Sequence, residues 1–289
     1  MSRLPTLLVT GGMGLIGSHL LRLTGRWQSH ATWYNRPPDT AVSHAAWHQL
    51  DITDPAAVDA LVAALRPHAI IHTAYQFNTP DMERVIVDGT RHIATAAAAV
   101  GARLVHLSTD VVFDGRRGWY REIDTPNPLH AYGRAKVHSE IEVRDLTPNA
   151  VIARTSLVYD LDPPDGRSQW VIDGGRGQAD VTLFTDERRC PIYAPDLAAA
   201  LLELAANDCH GLLHVAGPEA LSRYDFGVLL CRAVGAPTNG LKAAAAAASG
   251  LTRPLDCTLD TALAQRVLRT PLRPVTAVVA APRAGIAQR

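Results

Sequence analysis

The amino-acid sequence predicts an α/β fold, a doubly wound parallel sheet with helices on both faces. Through the first half of the chain, short runs rich in Val, Ile and Leu alternate with longer segments at helical spacing, which is typical of βαβ units. The runs show little alternation of polar and apolar residues, as expected for strands that are buried on both faces. Three glycines in the turn after the first run indicate the Rossmann type of this fold.

The predicted elements follow from local residue types. Asp54 is suited to cap a helix over 55–65 because its carboxylate can accept backbone N–H bonds. Gly101 is suited to end a helix over 82–100, and the alanine run 243–248 is predicted to be helical because alanine has the highest helix propensity. The predicted strands are 6–10, 31–34, 69–73, 103–108, 150–154 and 212–216. The other predicted helices are 131–144, 195–207, 223–234 and 259–268. Residues 163–167 are predicted to form a loop.

The composition argues against several classes of protein. Hydrophobic residues make up 47% of the 289 residues and charged residues 19%, which excludes a disordered or fibrous chain. Lys+Arg and Asp+Glu each total 28, so the basic excess usual in nucleic-acid-binding proteins is missing. The apolar run near the N-terminus is too short for a signal peptide or a membrane-spanning helix. The four cysteines form no close pair, and we expect a cytoplasmic protein with reduced thiols that binds neither nucleic acid nor membrane.

The histidines do not predict a metal site. His44 and His48 lie four residues apart, but no Glu stands between them as in an H-E-x-x-H motif. The histidines in or beside the predicted elements are expected to be mostly ordinary packed or exposed residues; these are His68, His72, His92 and His106.

The first chemical signal is the glycine turn. Gly11, Gly14 and Gly17 form a G-x-x-G-x-x-G motif between the first strand and the first helix. One glycine permits a tight turn, the next lets the backbone approach a pyrophosphate, and the third lets helix and strand pack closely. The phosphates would lie at the free N–H groups of the helix N-terminus, where Leu15 and Ile16 stand. The motif therefore predicts a dinucleotide site.

The end of the second strand favours NADP(H) over NAD(H). Sites for NAD usually carry an acidic residue about 20 residues after the glycines, but the sequence here is Tyr34-Asn35-Arg36. The Arg36 guanidinium can pair with a 2′-phosphate. Asp51, in the segment Leu50-Asp51-Ile52, can accept a hydrogen bond from the adenine amino group. NADP(H) is the predicted cofactor, with NAD(H) as the alternative.

Three polar residues form a candidate catalytic set. Thr109 closes a predicted strand, while Tyr132 and Lys136 lie four residues apart on one face of a predicted helix. Thr109 would hold a carbonyl or alcohol oxygen, and Lys136 would bind the nicotinamide ribose. A nearby ammonium is expected to lower the pKa of the Tyr132 phenol, which would make it a proton donor or acceptor near neutral pH.

These motifs resemble the extended short-chain dehydrogenase/reductase family, and within it the dTDP-4-dehydrorhamnose reductase group. The resemblance covers nearly the whole chain and is carried by residues 11–17, 108–115 (Ser-Thr-Asp-Val-Val-Phe-Asp-Gly), 132–136, 190–198, 214–217 and 222–226. It implies an NADP-binding Rossmann domain with the catalytic residues over 1–155. It also implies a mainly substrate-binding part over 156–289, from which residues 191–216 return to the Rossmann domain.

The resemblance implies an NADPH-dependent reductase of a nucleotide-linked 4-keto-6-deoxysugar, with Tyr132 as the proton donor. The implied substrate contacts are Thr109, Val111, Tyr132, Arg188 and Arg189, with Arg154 and Arg223 as further candidates for the diphosphate. Besides the residues already given, the implied cofactor contacts are Ile52, Thr73, Ala74, Tyr75, Ser108 and Thr155.

Two departures from the family pattern keep alternatives open. Ile86 stands where many relatives carry an asparagine of a proton relay, and Val111 stands where a dehydratase would carry a glutamate. A dehydratase is therefore disfavoured. The alternatives are an epimerase, a reductase of another carbonyl compound, and a non-catalytic NADP-binding regulatory subunit like the β subunit of methionine adenosyltransferase. The oligomeric state stays open, a homodimer included.

Overall fold

The computed structural model describes residues 4–38, 45–250 and 252–281. Its strands are β1 (Thr6–Thr10), β2 (Gln28–Trp33), β3 (Ala46–Gln49), β4 (Ala69–His72), β5 (Arg103–Thr109), β6 (Val151–Thr155), β7 (Val158–Tyr159), β8 (Thr182–Phe184), β9 (Arg188–Arg189), β10 (Ile192–Tyr193), β11 (Gly211–His214), β12 (Leu221–Ser222) and β13 (Lys242–Ala244). Its helices are α1 (Leu15–Arg22), α2 (Pro55–Leu65), α3 (Met82–Val100), α4 (Ala131–Leu146), α5 (Gly166–Gly175), α6 (Ala194–Ala205), α7 (Arg223–Ala233), α8 (Ala262–Val267) and α9 (Val275–Ala280).

The central sheet has the predicted doubly wound topology. In the described ranges it contains seven strands in the order β11-β6-β5-β4-β1-β2-β3, and every pairing is parallel. The strand order reverses between β1 and β4, which are direct neighbours through pairs such as Leu8 and Ile70. In such sheets ligands bind outside the carboxyl ends of the strands at this reversal. A ligand site is therefore expected at the segments that follow Thr10 and His72.

Both faces of the sheet are buried, as the sequence predicted. Successive side chains of a strand point to opposite faces, and Leu7, Leu8 and Val9 are all fully buried. Leu7 and Val9 pack in one core with residues of α1 and α6, such as Leu20 and Leu201. Leu8 packs in a second core with residues of α2, α3 and α4.

The C-terminal part adds a smaller apolar core to one end of the sheet. Tyr159, Ile172, Phe226 and Val275 belong to this third core, which joins β7, α5, α7 and α9. Its strands form small two-stranded sheets, β10-β7, β12-β9 and β13-β8. By contrast, α6 packs in the first core and β11 pairs with β6. This arrangement supports the proposed division at residue 155, in which segment 191–216 returns to the Rossmann domain.

Most predicted elements are present, and two predictions are wrong. Asp54 accepts hydrogen bonds from the N–H groups of Ala56 and Ala57 at the start of α2, and Gly101 ends α3 with a φ of 70°. The alanine run 243–248 does not form an α-helix, because its first residues pair with β8 as β13 and a short 3-10 turn follows. The predicted loop 163–167 contains the start of α5, whose N-cap is Asp165.

Residues 4–38, 45–250 and 252–281 show neither a membrane-spanning helix nor a metal-binding cluster. In these ranges none of the helices has both the length and the apolar character needed to cross a bilayer. No group of three or more His, Cys, Asp or Glu side chains there could hold a metal ion. His44 lies outside the described residues, while His48 stacks on His30 with ring nitrogens 2.9 Å apart.

Candidate active site

The glycine turn has the geometry of a phosphate-binding loop. Gly11 has a φ of 73°, and a Cβ at Gly17 would lie 2.2 Å from the Gly11 carbonyl oxygen. Only glycine allows helix α1 to approach the turn so closely. Helix α1 begins after Gly14 with no side-chain cap among the described residues. Its first N–H groups are therefore available to an anion.

A pocket of ≈ 350 Å³ lies beside this turn. It brings together most of the predicted cofactor contacts, namely Gly11, Gly14, Arg36, Asp51, Ile52, Thr73, Ala74 and Tyr75. Thr73 is fixed by a hydrogen bond of 2.8 Å from its Oγ1 to the Thr10 carbonyl oxygen. Asp51 accepts two hydrogen bonds from Thr53 at Oδ1. The pocket thus gathers residues suited to hold part of a dinucleotide, and their roles as ligands stay predictions.

Five predicted cofactor residues are buried and do not line this pocket, namely Ile16, Gly17, Ser108, Lys136 and Thr155. Ile16 and Gly17 are buried in α1, where they set the contact between helix and turn. Ser108 is 3% exposed and donates a hydrogen bond of 2.5 Å to Glu140. Thr155 is buried, and its Oγ1 has no hydrogen-bond partner among the described residues. The roles of these residues as direct ligands stay predictions.

Thr109 and Tyr132 are brought together from the end of β5 and the first turn of α4. Helix α4 begins here because His130 accepts a hydrogen bond from the Gly133 N–H group. Gly133 is required because a Cβ there would lie 2.4 Å from the Val111 carbonyl oxygen. This close approach brings the Tyr132 phenol near enough to Thr109 for the threonine hydroxyl to lower its pKa.

Aromatic side chains join the catalytic set to the dinucleotide pocket. The Tyr75 ring lies 5.9 Å from the Tyr132 ring, and the Phe77 ring meets it edge-on at 5.2 Å. Both are about half exposed, and Tyr75 also lines the pocket beside the glycine turn. Tyr132 therefore stands where that pocket ends. Sequence inspection missed Phe77, because its loop carries no motif that predicts contact with α4.

The expected effect of Lys136 on Tyr132 is wrong in this structure. Burial raises the pKa of the Tyr132 phenol above its ordinary value, and the charge of Asp110 acts in the same direction. The hydrogen bond with Thr109 acts in the opposite direction. The amine of Lys136 is directed elsewhere and donates to the Leu107 carbonyl oxygen at 2.6 Å. Tyr132 is accordingly a protonated phenol at neutral pH.

A buried ion pair of Asp110 and Arg189 lies next to Thr109. Asp110 accepts hydrogen bonds from Ser156 at 2.6 Å and from Thr109 at 3.3 Å. The Nε atom of Arg189 lies 3.5 Å from its carboxylate. Arg189 is 4% exposed and also donates to the carbonyl oxygens of Pro254 and Leu255.

The predicted contact of Arg189 with substrate does not fit this placement, since protein groups already surround its guanidinium. Arg154 is also enclosed, because Glu140 holds it at 2.9 and 2.6 Å and it is 1% exposed. Arg188 has an exposed side chain and donates to the Ala220 carbonyl oxygen. Val111 lies beside Thr109, whose Oγ1 accepts its N–H. Ile86 is 2% exposed in α3 and offers no polar group to a proton relay.

A cationic cluster of arginines surrounds Glu187, which contacts the buried Arg189. The Glu187 carboxylate is contacted by Arg189 at 3.3 Å, by Arg223 at 3.7 Å and by Arg253 at 2.6 Å. Arg223 and Arg253 keep about a third of their side-chain surface exposed. Arg167, exposed on the first turn of α5, interacts electrostatically with both Tyr132 and Arg223. These cations could bind the phosphates of a substrate. Arg253 and Arg167 were missed because their sequence neighbourhoods show no signal of this convergence.

The match to a family model decides the classification. The model of the RmlD substrate binding domain matches residues 5–282. The chain belongs to this family. Among curated RmlD-family relatives, the probable low-salt glycan biosynthesis reductase Agl14 of Haloferax volcanii is 35% identical over 239 residues, 78% of this chain and 79% of that protein. The dTDP-4-dehydrorhamnose reductase of Mycobacterium tuberculosis is 32% identical over 235 residues, 77% of this chain and 73% of that protein. The RmlD-family chain is thus an NAD(P)-dependent oxidoreductase of the sugar-nucleotide reductase group.

Solved structures confirm the fold of this RmlD-family chain. A hypothetical dTDP-4-dehydrorhamnose reductase from Sulfolobus tokodaii has a TM-score of 0.81 at 29% identity and covers 93% of this chain and 96% of its own. The Bacillus anthracis reductase in complex with NADP has a TM-score of 0.81 at 23% identity, with 96% and 97% covered. The Bordetella bronchiseptica enzyme WbmH in complex with NAD+ has a TM-score of 0.80 at 19% identity, with 96% and 97% covered. Complexes with NADP and with NAD+ are thus known among structures that share this fold.

The chain is also similar to a protein of another kind. Methionine adenosyltransferase 2 subunit beta of Xenopus tropicalis is 28% identical over 287 residues, 92% of this chain and 84% of that protein. The predicted alternative of a regulatory subunit therefore has a counterpart among the relatives.

Proposed function

We propose that this protein is an NADPH-dependent reductase of a nucleotide-linked 4-keto-6-deoxysugar, with Tyr132 as the proton donor. The observation that carries the proposal is the placement of Tyr132. Its phenol lies close enough to Thr109 for that hydroxyl to influence its pKa, and its ring packs on Tyr75, which also lines the dinucleotide pocket. A carbonyl at this point would lie next to both the cofactor and a proton donor.

The bound cofactor would supply the hydride to the carbonyl carbon. Thr109 and Tyr132 would both hydrogen-bond the carbonyl oxygen, on which negative charge develops as the hydride arrives. Tyr132 would then transfer its phenolic proton to that oxygen. Asp110, Arg189 and Ser156 would keep Thr109 in place, because their buried contacts fix the end of β5.

The protonation state of Tyr132 is compatible with the proposed reduction. Burial raises its pKa, so the phenol carries its proton at neutral pH. The proton that the carbonyl oxygen must receive is therefore present on Tyr132.

The cationic cluster supports an anionic, phosphate-bearing substrate. Arg223, Arg253 and Arg167 outnumber the nearby Glu187 carboxylate, and their side chains are partly exposed. Guanidinium groups bind phosphates through paired hydrogen bonds. Arg188, whose side chain is also exposed, is the remaining candidate for such a contact.

The decisive experiment is a substrate screen that follows NADPH absorbance. Purified protein should oxidise NADPH with a dTDP-4-keto-6-deoxysugar, and the product should carry a new hydroxyl group at carbon 4. Sugars without a nucleotide should react poorly because the cationic cluster would be left without its phosphates. Oxidation of simple carbonyl compounds at equal efficiency would contradict the nucleotide-sugar assignment.

The second candidate function is that of a non-catalytic NADP-binding regulatory subunit. The similarity to methionine adenosyltransferase subunit beta over 92% of the chain favours it. The Thr109, Tyr132 and Lys136 set is complete, which disfavours it. NADPH binding without oxidation across all nucleotide-linked ketosugars would support the regulatory function and reject the reductase.

A further inference from the structure

Two histidines of neighbouring strands are buried next to Lys136. His72 closes β4 and His106 lies in β5, and the two are register partners across the parallel pairing. Their rings stack with centroids 5.4 Å apart and an interplanar angle of 24°. Each is 1% exposed. The sequence predicted ordinary packing for such histidines, but the contacts of His106 indicate more.

The imidazole of His106 faces the amine of Lys136. Its Nε2 atom lies 3.4 Å from Nζ of Lys136 and 3.0 Å from Oγ of Ser139. Its Nδ1 atom has no hydrogen-bond partner within the part of the chain that the structure describes. An ammonium group has donors only, so a hydrogen bond from charged Lys136 requires the tautomer in which Nε2 is the acceptor and Nδ1 carries the proton. Ser139 Oγ also donates to the Lys136 carbonyl oxygen at 2.8 Å. Nζ also donates to the Leu107 carbonyl oxygen at 2.6 Å, and these two acceptors fix its position.

The groups around Lys136 determine how much its charged form depends on the His106 Nε2 acceptor. Lys136 is buried, which lowers its pKa to about 8, and the Glu140 carboxylate on the same helix acts in the opposite direction. Glu140 also forms an ion pair with Arg154, so its carboxylate does not act on the Lys136 ammonium alone. From the strands, the neighbouring groups are His106 and His72. Burial and the charge of Lys136 lower the pKa of His72 to about 3 and that of His106 well below its ordinary value. Both imidazoles are therefore neutral.

We propose that His106 is a positioning residue for Lys136, whose ammonium it holds against the end of β5 by accepting a hydrogen bond at Nε2. The inference rests on the proposed function and on the predicted contact of Lys136 with the cofactor ribose. A neutral acceptor stabilises the charged form of a buried amine. Without His106, the buried amine would lose its proton at a lower pH and would no longer be held in place.

The sequence allows a direct test, because the chain contains only two lysines, Lys136 and Lys242. Protein labelled with ¹³C at the lysine ε-carbons gives one NMR signal from each. Lys242 is largely exposed and pairs with Asp180, and Lys242→Arg identifies the remaining signal as that of Lys136. The titration midpoint of Lys136 is then measured in His106→Phe, which keeps a ring, and in His106→Gln, which keeps an acceptor. His72→Phe is the matched control for the loss of a stacked imidazole.

The expected result is a lower midpoint for Lys136 in His106→Phe, by about one pH unit, or tenfold in the protonation ratio. His106→Gln should restore most of the shift. An unchanged midpoint in His106→Phe, or an equal shift in His72→Phe, would overturn the proposal. If His106→Phe does not fold, Ser139→Ala provides the second test. That change leaves Nε2 to Lys136 alone, so the midpoint should hold or rise, and a fall would reject the role.

This measurement needs no substrate, so its outcome is separate from that of the substrate screen. A protein that oxidises no ketosugar but shows the shift in Lys136 would reject the proposed reductase and retain the Lys136–His106 contact. In an active protein, the alkaline limb of the kcat/KM profile should move to lower pH in His106→Phe and return in His106→Gln. A uniform loss of kcat with an unchanged pH profile would show a merely structural residue.

Discussion

Gly17→Ala gives the sharpest test of the dinucleotide site. An alanine Cβ at this position would lie 2.2 Å from the Gly11 carbonyl oxygen and 2.7 Å from the Gly12 Cα atom. Both distances are far inside the optimal carbon separation of about 3.5–4.0 Å. The obstruction is backbone on both sides, so no side chain can rotate to relieve it. The glycine turn must therefore move away from α1.

The magnitude follows from the cost of overpacking. Extra methyl groups in a well-packed site typically cost about 1–3 kcal/mol of unfolding free energy. In domains of 150–250 residues each kcal/mol corresponds to roughly 2–4 °C in Tm, so thermal unfolding should show a fall of several degrees. Because the displaced turn carries the N–H groups that would bind the pyrophosphate, the NADPH Kd should rise by about tenfold or more, or about 1.4 kcal/mol.

Two other glycines provide a graded control. A Cβ at Gly14 would lie 3.3 Å from the same Gly11 oxygen, and a Cβ at Gly25 would meet none of the described atoms within 4 Å. Gly14→Ala should therefore have a smaller effect than Gly17→Ala. Gly25→Ala should leave NADPH affinity unchanged and hold or raise the stability, by about 0.4–1 kcal/mol at most. A Gly17→Ala protein with wild-type Kd and Tm would refute the assignment of the turn.

Three further predictions test other parts of the site. Arg36→Ala should weaken NADPH binding by about 10- to 100-fold, the value of hydrogen bonds to a charged phosphate, with little change for NADH; equal losses in fluorescence titrations would refute the phosphate contact. Tyr132→Phe should lower kcat by about 10²–10⁴-fold while the NADPH Kd stays near wild type, and substantial residual turnover would exclude Tyr132 as the proton donor. Glu140→Leu should lower the unfolding free energy by about 3–5 kcal/mol because it leaves the buried Arg154 uncompensated; urea denaturation checks this, and a loss below 1 kcal/mol would contradict it.

The features that the sequence predicted correctly are determined by residues close to them in the chain. The glycine turn, the Asp54 cap and the Gly101 helix end are each determined by a few neighbouring residues. The position of Arg36 at the pocket also follows locally, since a parallel sheet places the end of β2 beside the end of β1. Such features can be predicted from one sequence because no distant contact is needed to fix them.

The errors arise where distant segments decide the structure. The alanine run 243–248 has high helix propensity, but pairing with β8 makes its first residues a strand. The spacing of Tyr132 and Lys136 correctly places both on α4. It could not show that the Lys136 amine turns to Leu107 and His106 on another element. The same limit explains why Arg189 was expected at the substrate and is instead enclosed by Asp110 and Glu187.

Although the net charge of the chain is zero, positive charge is concentrated locally around Glu187. This carboxylate contacts Arg189, Arg223 and Arg253, and the charges of these arginines hold its pKa below the ordinary value. It therefore stays ionised, and it orients two partly exposed guanidinium groups before any ligand arrives. Preorganisation of this kind reduces the entropy lost on binding. A small anionic ligand needs only a few such cations and a helix N-terminus. Overall composition therefore gives no sign of the basic excess typical of nucleic-acid-binding proteins, but it says nothing against a phosphate-bearing sugar, whose recognition depends on where a few arginines meet.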